Sequence, residues 1–176
     1  MVMGSIKTGT DVVVIGAGPG GYVAAQRAAQ LGLDVTLIEQ EELGGTCLNH
    51  GCIPSKALIS VGDLVHKVNN AAERGVVVKG SVEVDFAKTQ EWKKNKVIKR
   101  LTTGVASLMK AAQVEVVKGK ARFTDPHSLE VELNDGGTAA YSFKYAIIAT
   151  GSQAINPPFF PLDGENVVDA RGALAF

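Results

Sequence analysis

Cysteine is scarce, with two among 176 residues, too few for the disulfide framework of an extracellular domain. A charge of one sign is missing as well. Eighteen Lys and Arg cancel eighteen Asp and Glu, which argues against nucleic acid or an anionic membrane as the main partner. No uncharged apolar run approaches the ~20 residues that a membrane-spanning helix needs. The nearest, Val12 to Gln26, is interrupted by Gly16, Gly18, Pro19, Gly20 and Gly21. Asp11 precedes that run and Lys7 is the only basic residue before it, so no secretory signal is expected. There is no internal repeat, and no Pro- or Ser-rich linker before Asn156-Pro157-Pro158. A soluble cytoplasmic protein is the expectation, and the length suits one domain over residues 1–176 that buries roughly 70% of its unfolded surface.

Glycine is abundant, at 20 residues, yet without the period or low complexity of a fibre or a disordered chain. Charge is unevenly spread. Residues 61–112 carry ten basic groups against five acidic, while residues 1–60 and 113–176 are both net acidic.

Asp11-Val12-Val13-Val14-Ile15 is a short apolar run ended by Gly16, which predicts a buried strand. Gly20 to Leu31 is Ala-rich with apolar residues at helical spacing and a Gly32 stop. Val35 to Ile38 predicts a second buried strand ending at Glu39. Strand, tight turn, helix and strand within thirty residues predict a right-handed βαβ unit. Pro54 to about Val68 reads as a helix with Pro54 in its first turn, and Phe86 to about Ala112 as a long one. Val97, Ile98, Leu101, Val105, Leu108, Met109 and Ala112 share its apolar stripe. The period then changes to two through Val114–Val116, Lys120–Phe123, Leu129–Leu133 and Tyr141–Tyr145, with a turn at Asn134-Asp135-Gly136-Gly137. That pattern predicts an antiparallel meander. Ala146 to Ala149 then reads as a buried strand running into Thr150-Gly151.

Gly16-Ala17-Gly18-Pro19-Gly20-Gly21 matches G-x-G-x-x-G between a predicted strand and a predicted helix. The first Gly permits the turn, the second lets a pyrophosphate approach the backbone, and the third permits close helix–strand packing at a helix N-terminus. Glu39 lies 23 positions after Gly16, where a carboxylate would accept from a ribose 2′-OH and repel a 2′-phosphate. The expected ligand is therefore FAD or NAD rather than NADP.

The segment Gly44 to Lys56 carries both Cys47 and Cys52, flanked by glycines at the approach to a predicted helix. A helix N-terminus and a nearby Lys56 favour thiolate. The residues alone leave three readings: a redox pair, two unrelated buried thiols, or zinc held by Cys47, His50 and Cys52. The last wants a fourth ligand, and only His66 and His127 remain.

A dinucleotide fingerprint followed directly by a close Cys pair, together with Ala149-Thr150-Gly151, resembles the flavoprotein disulfide reductases over essentially the whole chain. Cys47-Leu48-Asn49 and Ile53-Pro54-Ser55-Lys56-Ala57-Leu58 are more similar to the dihydrolipoyl dehydrogenases than to the glutathione or mercuric reductases. The resemblance implies an α/β, doubly wound (Rossmann-like) FAD-binding domain with an antiparallel β-meander inserted before the last parallel strand. It implies Cys47 as interchange thiol attacking a lipoyl disulfide, Cys52 against the flavin as charge-transfer donor, and Lys56 near the flavin N5 edge. Gly119 would offer its backbone to the adenine, Thr150, Gly151 and Ser152 would line the FAD site, and Gly45 and Thr46 would belong to it with the Gly motif. His50 departs from the usual small aliphatic residue between the cysteines and reads as a tolerated surface-side substitution, the alternative being a titratable neighbour that tunes the thiol pair. Lys93, Lys94, Lys96, Lys99 and Arg100 read as a solvated helix face, and Trp92 and Phe86 as packing residues.

Members of that family carry further NAD-binding and dimerisation domains, and a His–Glu pair given to the partner subunit. Neither a second G-x-G-x-x-G nor such a His is present here. The expectation is the N-terminal FAD-binding part of an enzyme that oxidises protein-bound dihydrolipoyl groups with NAD as final acceptor. That enzyme would work as a homodimer beside the lipoyl-bearing acyltransferase subunit of a 2-oxo-acid dehydrogenase complex. The 176 residues alone are not expected to turn over NADH with lipoamide. Another disulfide or metal-ion reductase of the same family, or a non-catalytic nucleotide-binding fragment, are the alternatives.

Overall fold

The computed structural model describes residues 7–176, so the leader reading of the N-terminus rests partly on residues 1–6, outside the described residues. The described residues divide into two compact units, 7–45 with 102–153 and 46–101 with 154–176. The first is a five-stranded closed barrel, β1 (Lys7–Ile15), β2 (Val35–Glu39), β3 (Glu115–Asp125), β4 (Ser128–Leu133) and β5 (Thr138–Ile148). The βαβ expectation is met. Helix α1 (Pro19–Gln30) joins parallel β1 and β2, which pair from Val12↔Val35 to Ile15↔Ile38. Pro19 opens α1, and Gly21, Ala25 and Ala28, at helical spacing, are its buried residues.

The antiparallel part differs from the expectation of a separate insert followed by a last strand. β3 first pairs parallel with β2, Thr36↔Glu115 to Glu39↔Lys118, and then antiparallel with β4 from Gly119↔Leu133 onward. β5 is likewise one strand, antiparallel to β4 near its start and parallel to β1 from Lys7↔Ala140 to Ile15↔Ile148. Closure therefore comes from two long strands that each change partners, which the runs Val114–Val116, Lys120–Phe123, Tyr141–Tyr145 and Ala146–Ala149 hide by looking like separate elements. The turn at Asn134–Gly137 is as expected, with Gly136 and Gly137 at φ +99° and +88° and Leu133 N–H donating to Gly137 C=O at 3.1 Å.

Alternation sorts the side chains. Val13, Ile38, Val117, Leu129, Val131, Tyr141 and Phe143 form one core cluster, while Val12, Val14, Val35 and Leu37 are buried on the other face, where α1 packs on β1 and β2. The expected burial of the last strand is not observed. Ile147 and Ile148 are 37% and 67% exposed, because β5 outruns β4 and keeps only β1 as a strand partner there.

The second unit is helical. It holds most of α2 (Gly45–His50), all of α3 (Cys52–Asn69) and α4 (Phe86–Trp92), a π-helical turn Lys93–Ile98, the start of α5 (Lys99–Ala111), and α6 (Ala170–Ala173). The expected long helix Phe86 to Ala112 thus contains a π turn, which packs against α3. Of its predicted stripe, Val105 and Met109 are buried, whereas Leu101 and Leu108 stay part exposed. Phe86 and Trp92 are 49% and 41% exposed rather than packed inside, since α4 buries no residue. Lys94, Lys96, Lys99 and Arg100 are exposed as expected, but Lys93 is buried, its Nζ donating to the Leu174 carbonyl.

Gly119 marks the place where β3 changes partner. A Cβ there would stand 2.4 Å from Glu132 O and 2.6 Å from Val131 Cγ1. Gly119→Ala is expected to cost about 2 kcal/mol of stability by overpacking, read from urea unfolding; an unchanged midpoint would show that β3 and β4 part without cost.

Candidate functional site: a glycine cradle and a thiol pair

In the barrel unit, the carboxyl ends of β1, β2 and β5 meet at one place. Gly16, at φ +97°, follows β1, and a Cβ on it would lie 2.4 Å from Ala149 O and 3.1 Å from Thr150 Cα. Thr150, Gly151 (φ +74°) and Ser152 thus continue from β5 beside the glycine turn. A Cβ on Gly21 would sit 1.7 Å from Gly16 O, and one on Gly45 (φ +56°) would sit 2.6 Å from Gly18 Cα. Gly16, Gly18, Gly21 and Gly45 are where backbone touches backbone. Gly20 is different, since its Cβ would meet nothing within 4 Å.

Gly18 caps α1 without a side-chain hydrogen bond, and no acidic residue stands in the first turn. Helix-opening amides left without a side-chain acceptor suit an anion, and the open space beside Gly20 leaves room for one to approach. The cradle fits the pyrophosphate of a dinucleotide.

Glu39 ends β2 and is 8% exposed. Its Oε2 accepts from Ala17 N–H at 2.6 Å and its Oε1 from Glu41 N–H at 2.7 Å. Beyond its expected part in reading a ribose, the carboxylate therefore fastens the glycine turn to the end of β2, which its position in the sequence did not disclose. Gly44 N–H donates to Ala17 C=O at 2.8 Å, a second tie that the motif does not encode. Gly119 directly follows Lys118, the register partner of Glu39, which places it at this same end of the sheet. Lys118 braces residues 41–42, donating to Glu41 C=O and pairing with Glu42 at 3.8 Å, and Asn134 Nδ2 donates to Gln40 C=O at 3.0 Å.

In the helical unit, Cys47 lies in α2 and Cys52 opens α3, with Gly51 (φ −144°, ψ −104°) between them. The structure brings the two thiols together. A hydrogen bond with the Cys52 thiol, then burial, then the Cys52 charge push the Cys47 thiol above its ordinary range, while the Lys56 ammonium and the Cys52 backbone amide pull it down. Cys47 is half-buried, and Cys52 and Lys56 are exposed. Thr46 precedes them on α2, exposed, with its carbonyl packed beside Gly51. Among the described residues no group of three or more His, Cys, Asp and Glu could hold a metal, so the zinc arrangement of Cys47, His50 and Cys52 is not assembled. His50 is more than a surface side chain: it is half-buried and its Nε2 accepts from Arg171 Nη2. Arg171, 121 residues away, carries no local signal that could have found it.

A family model described as "Pyridine nucleotide-disulphide oxidoreductase" matches residues 10–174. The chain belongs to the pyridine nucleotide-disulphide oxidoreductases. It is 50% identical over 177 residues to a dihydrolipoyl dehydrogenase 2 of Haloarcula marismortui, covering 99% of this chain and 37% of that protein. It is 51% identical to a dihydrolipoyl dehydrogenase of Bacillus subtilis and 49% to one of Geobacillus stearothermophilus, in each case covering 99% of this chain and 36% of the relative. The chain thus spans a little over a third of the length of these curated relatives. Among the described residues no helix is long and apolar enough to cross a membrane.

The two glycines inside α1 separate packing from ligand. Gly21→Ala is expected to cost about 3 kcal/mol, because backbone must shift, whereas Gly20→Ala should stabilise by about 0.5 kcal/mol through the unfolded chain. Urea unfolding of both variants decides it, and equal effects would refute the packing argument.

The thiol pair carries a pH signature. Cys52→Ala removes the largest cause raising Cys47, so the midpoint of its iodoacetamide alkylation rate should move to lower pH. Lys56→Met should move that midpoint to higher pH. Midpoints that stay in place in both variants would mean that neither group acts on Cys47.

Proposed function

We propose that this chain is the FAD-holding, disulfide-bearing part of a dihydrolipoyl dehydrogenase, built on a doubly wound, Rossmann-like unit. The single observation behind this reading is the hydrogen-bonded Cys47–Cys52 pair at the α2–α3 turn with Lys56 acting on it, in a chain about half identical to dihydrolipoyl dehydrogenases.

The chemistry assigned to the pair is thiol–disulfide exchange. Starting from the Cys47–Cys52 disulfide, a dihydrolipoyl thiolate attacks the Cys47 sulfur. A lipoyl–Cys47 disulfide forms and Cys52 leaves as thiolate. The second lipoyl sulfur then displaces Cys47, closing the lipoyl disulfide. Two electrons pass from the lipoyl sulfurs to the two cysteines, and the two lipoyl protons go to the cysteine sulfurs or to solvent. Lys56 and the start of α3 stabilise the thiolate released at each stage.

Gly16, Gly18, Gly21 and Gly45 would hold the FAD pyrophosphate, Gly20 would present its amide, Glu39 would take the ribose hydroxyls, Gly119 would face the adenine, and Thr46, Thr150, Gly151 and Ser152 would line the rest. Bound FAD supplies the two-electron acceptor for the reduced cysteine pair. In an enzyme of the relatives' full length, NAD is the final acceptor, the assembly is a cytoplasmic homodimer, and the partner is the lipoyl-bearing acyltransferase subunit of a 2-oxo-acid dehydrogenase complex.

The test is trapping. Reduced Cys52→Ser chain incubated with lipoamide should accumulate a mixed disulfide on Cys47, seen by mass spectrometry of its peptide, while the unsubstituted chain resolves it and releases dihydrolipoamide. In parallel, FAD fluorescence should be quenched on titration with the chain, and Gly45→Val should abolish the quenching. No adduct on Cys47 would overturn the thiol assignment. Adduct formed far faster with glutathione disulfide than with lipoamide would move the chain to another reductase of the family.

A further inference from the structure

One side chain between the two cysteines is engaged from far along the sequence. His50 ends α2, three residues after Cys47 and two before Cys52, and its Nε2 faces Arg171 Nη2. A guanidinium has donors only, so Arg171 donates and His50 Nε2 accepts. Arg171 is delivered by α6, whose capping Asp169 accepts from Gly172 N–H at 2.8 Å. The segment is also pinned just beyond α6, where the Leu174 carbonyl accepts from Lys93 Nζ. Lys93 is 5% exposed, and its ammonium is directed to that carbonyl from within the π turn. The short α6 is thus held at two points, one of them in the turn that carries the thiols.

That turn needs outside support. Helix α2 has six residues, below the length at which a helix holds itself in water, and the Gly51 hinge caps α3 with no side-chain hydrogen bond. How often two thiols meet across such a hinge sets their effective concentration, and with it the stability of the disulfide between them.

We infer that Arg171 is a positioning residue for the cysteine pair: by holding His50 it fixes the α2–Gly51–α3 turn in the geometry in which Cys47 and Cys52 meet, and so favours their disulfide. The inference rests on the redox reading of that pair. Glutathione disulfide is the oxidant of the test. One protein thiolate attacks it, releasing a glutathione thiolate and leaving a mixed disulfide. The second cysteine displaces the other glutathione, so two electrons pass from the protein sulfurs to two molecules of glutathione.

The chain is equilibrated in glutathione buffers of graded ratio, quenched with acid, alkylated, and its reduced and oxidised forms are counted by mass. One exposed hydrogen bond corresponds to about a fivefold change in an equilibrium constant. Arg171→Ala and His50→Val should each lower the constant for disulfide formation about fivefold, and the double variant no further, because both remove the same contact. His50→Gln, which keeps an acceptor, should stay within about twofold of the parent by the same scale. It also carries the test should an alanine variant fold poorly by circular dichroism. Single variants matching the parent, a double variant whose loss is the product of the two, or His50→Gln falling with His50→Val would overturn the inference and leave the redox reading standing. A parent chain that forms no Cys47–Cys52 disulfide would overturn both.

Discussion

The contact between Gly21 and the Gly16 carbonyl fixes where helix α1 begins. With 1.7 Å between that oxygen and the place a Cβ would occupy, only hydrogen fits there, and the first turn of α1 lies directly on the end of β1. Gly16 repeats the arrangement against Ala149, so the end of β5 is stacked on the same turn. These are contacts between backbones, stiff and short. They hold the opening amides of α1 beside the carboxyl ends of three strands, and side chains could not do so without widening the gap by more than a bond length. Glu39 then closes the structure from β2. A carboxylate this buried is costly unless hydrogen-bonded, and the Ala17 and Glu41 amides supply charge-assisted bonds.

What was legible in the sequence was local. Val12 to Ile15, the glycine turn, the Ala-rich helix and Val35 to Glu39 each signal themselves within a few residues, and the structure keeps them within a residue or two, except that β1 begins four residues before Asp11, at Lys7. Closure of the barrel was not legible, because it depends on β3 and β5 each having two partners, and no window of sequence shows a change of partner. Gly119 is the visible trace of that change: a glycine in a strand marks a close backbone approach, here the Glu132 carbonyl. Ile147 and Ile148 misled for a related reason. An apolar run shows that a strand can be buried, not that something covers it. Lys93 misled in the opposite direction, since helical spacing put it with the solvated lysines, and a π turn carries it inward.

The cradle and the thiol pair are built on opposite principles. Around the glycines every tolerance is steric, and the chemistry lies in main-chain groups that cannot titrate. Around the cysteines the decisive quantities are electrical, and they compete. The Cys52 thiol and its charge favour the protonated form of Cys47, while the Lys56 ammonium favours its thiolate. The strength of Cys47 as a nucleophile is the balance of the two, since the thiolate is the form that attacks a disulfide. Gly51 joins the two helices without a side-chain hydrogen bond of its own, so that balance is struck by Cys52 and Lys56 on α3 and by burial.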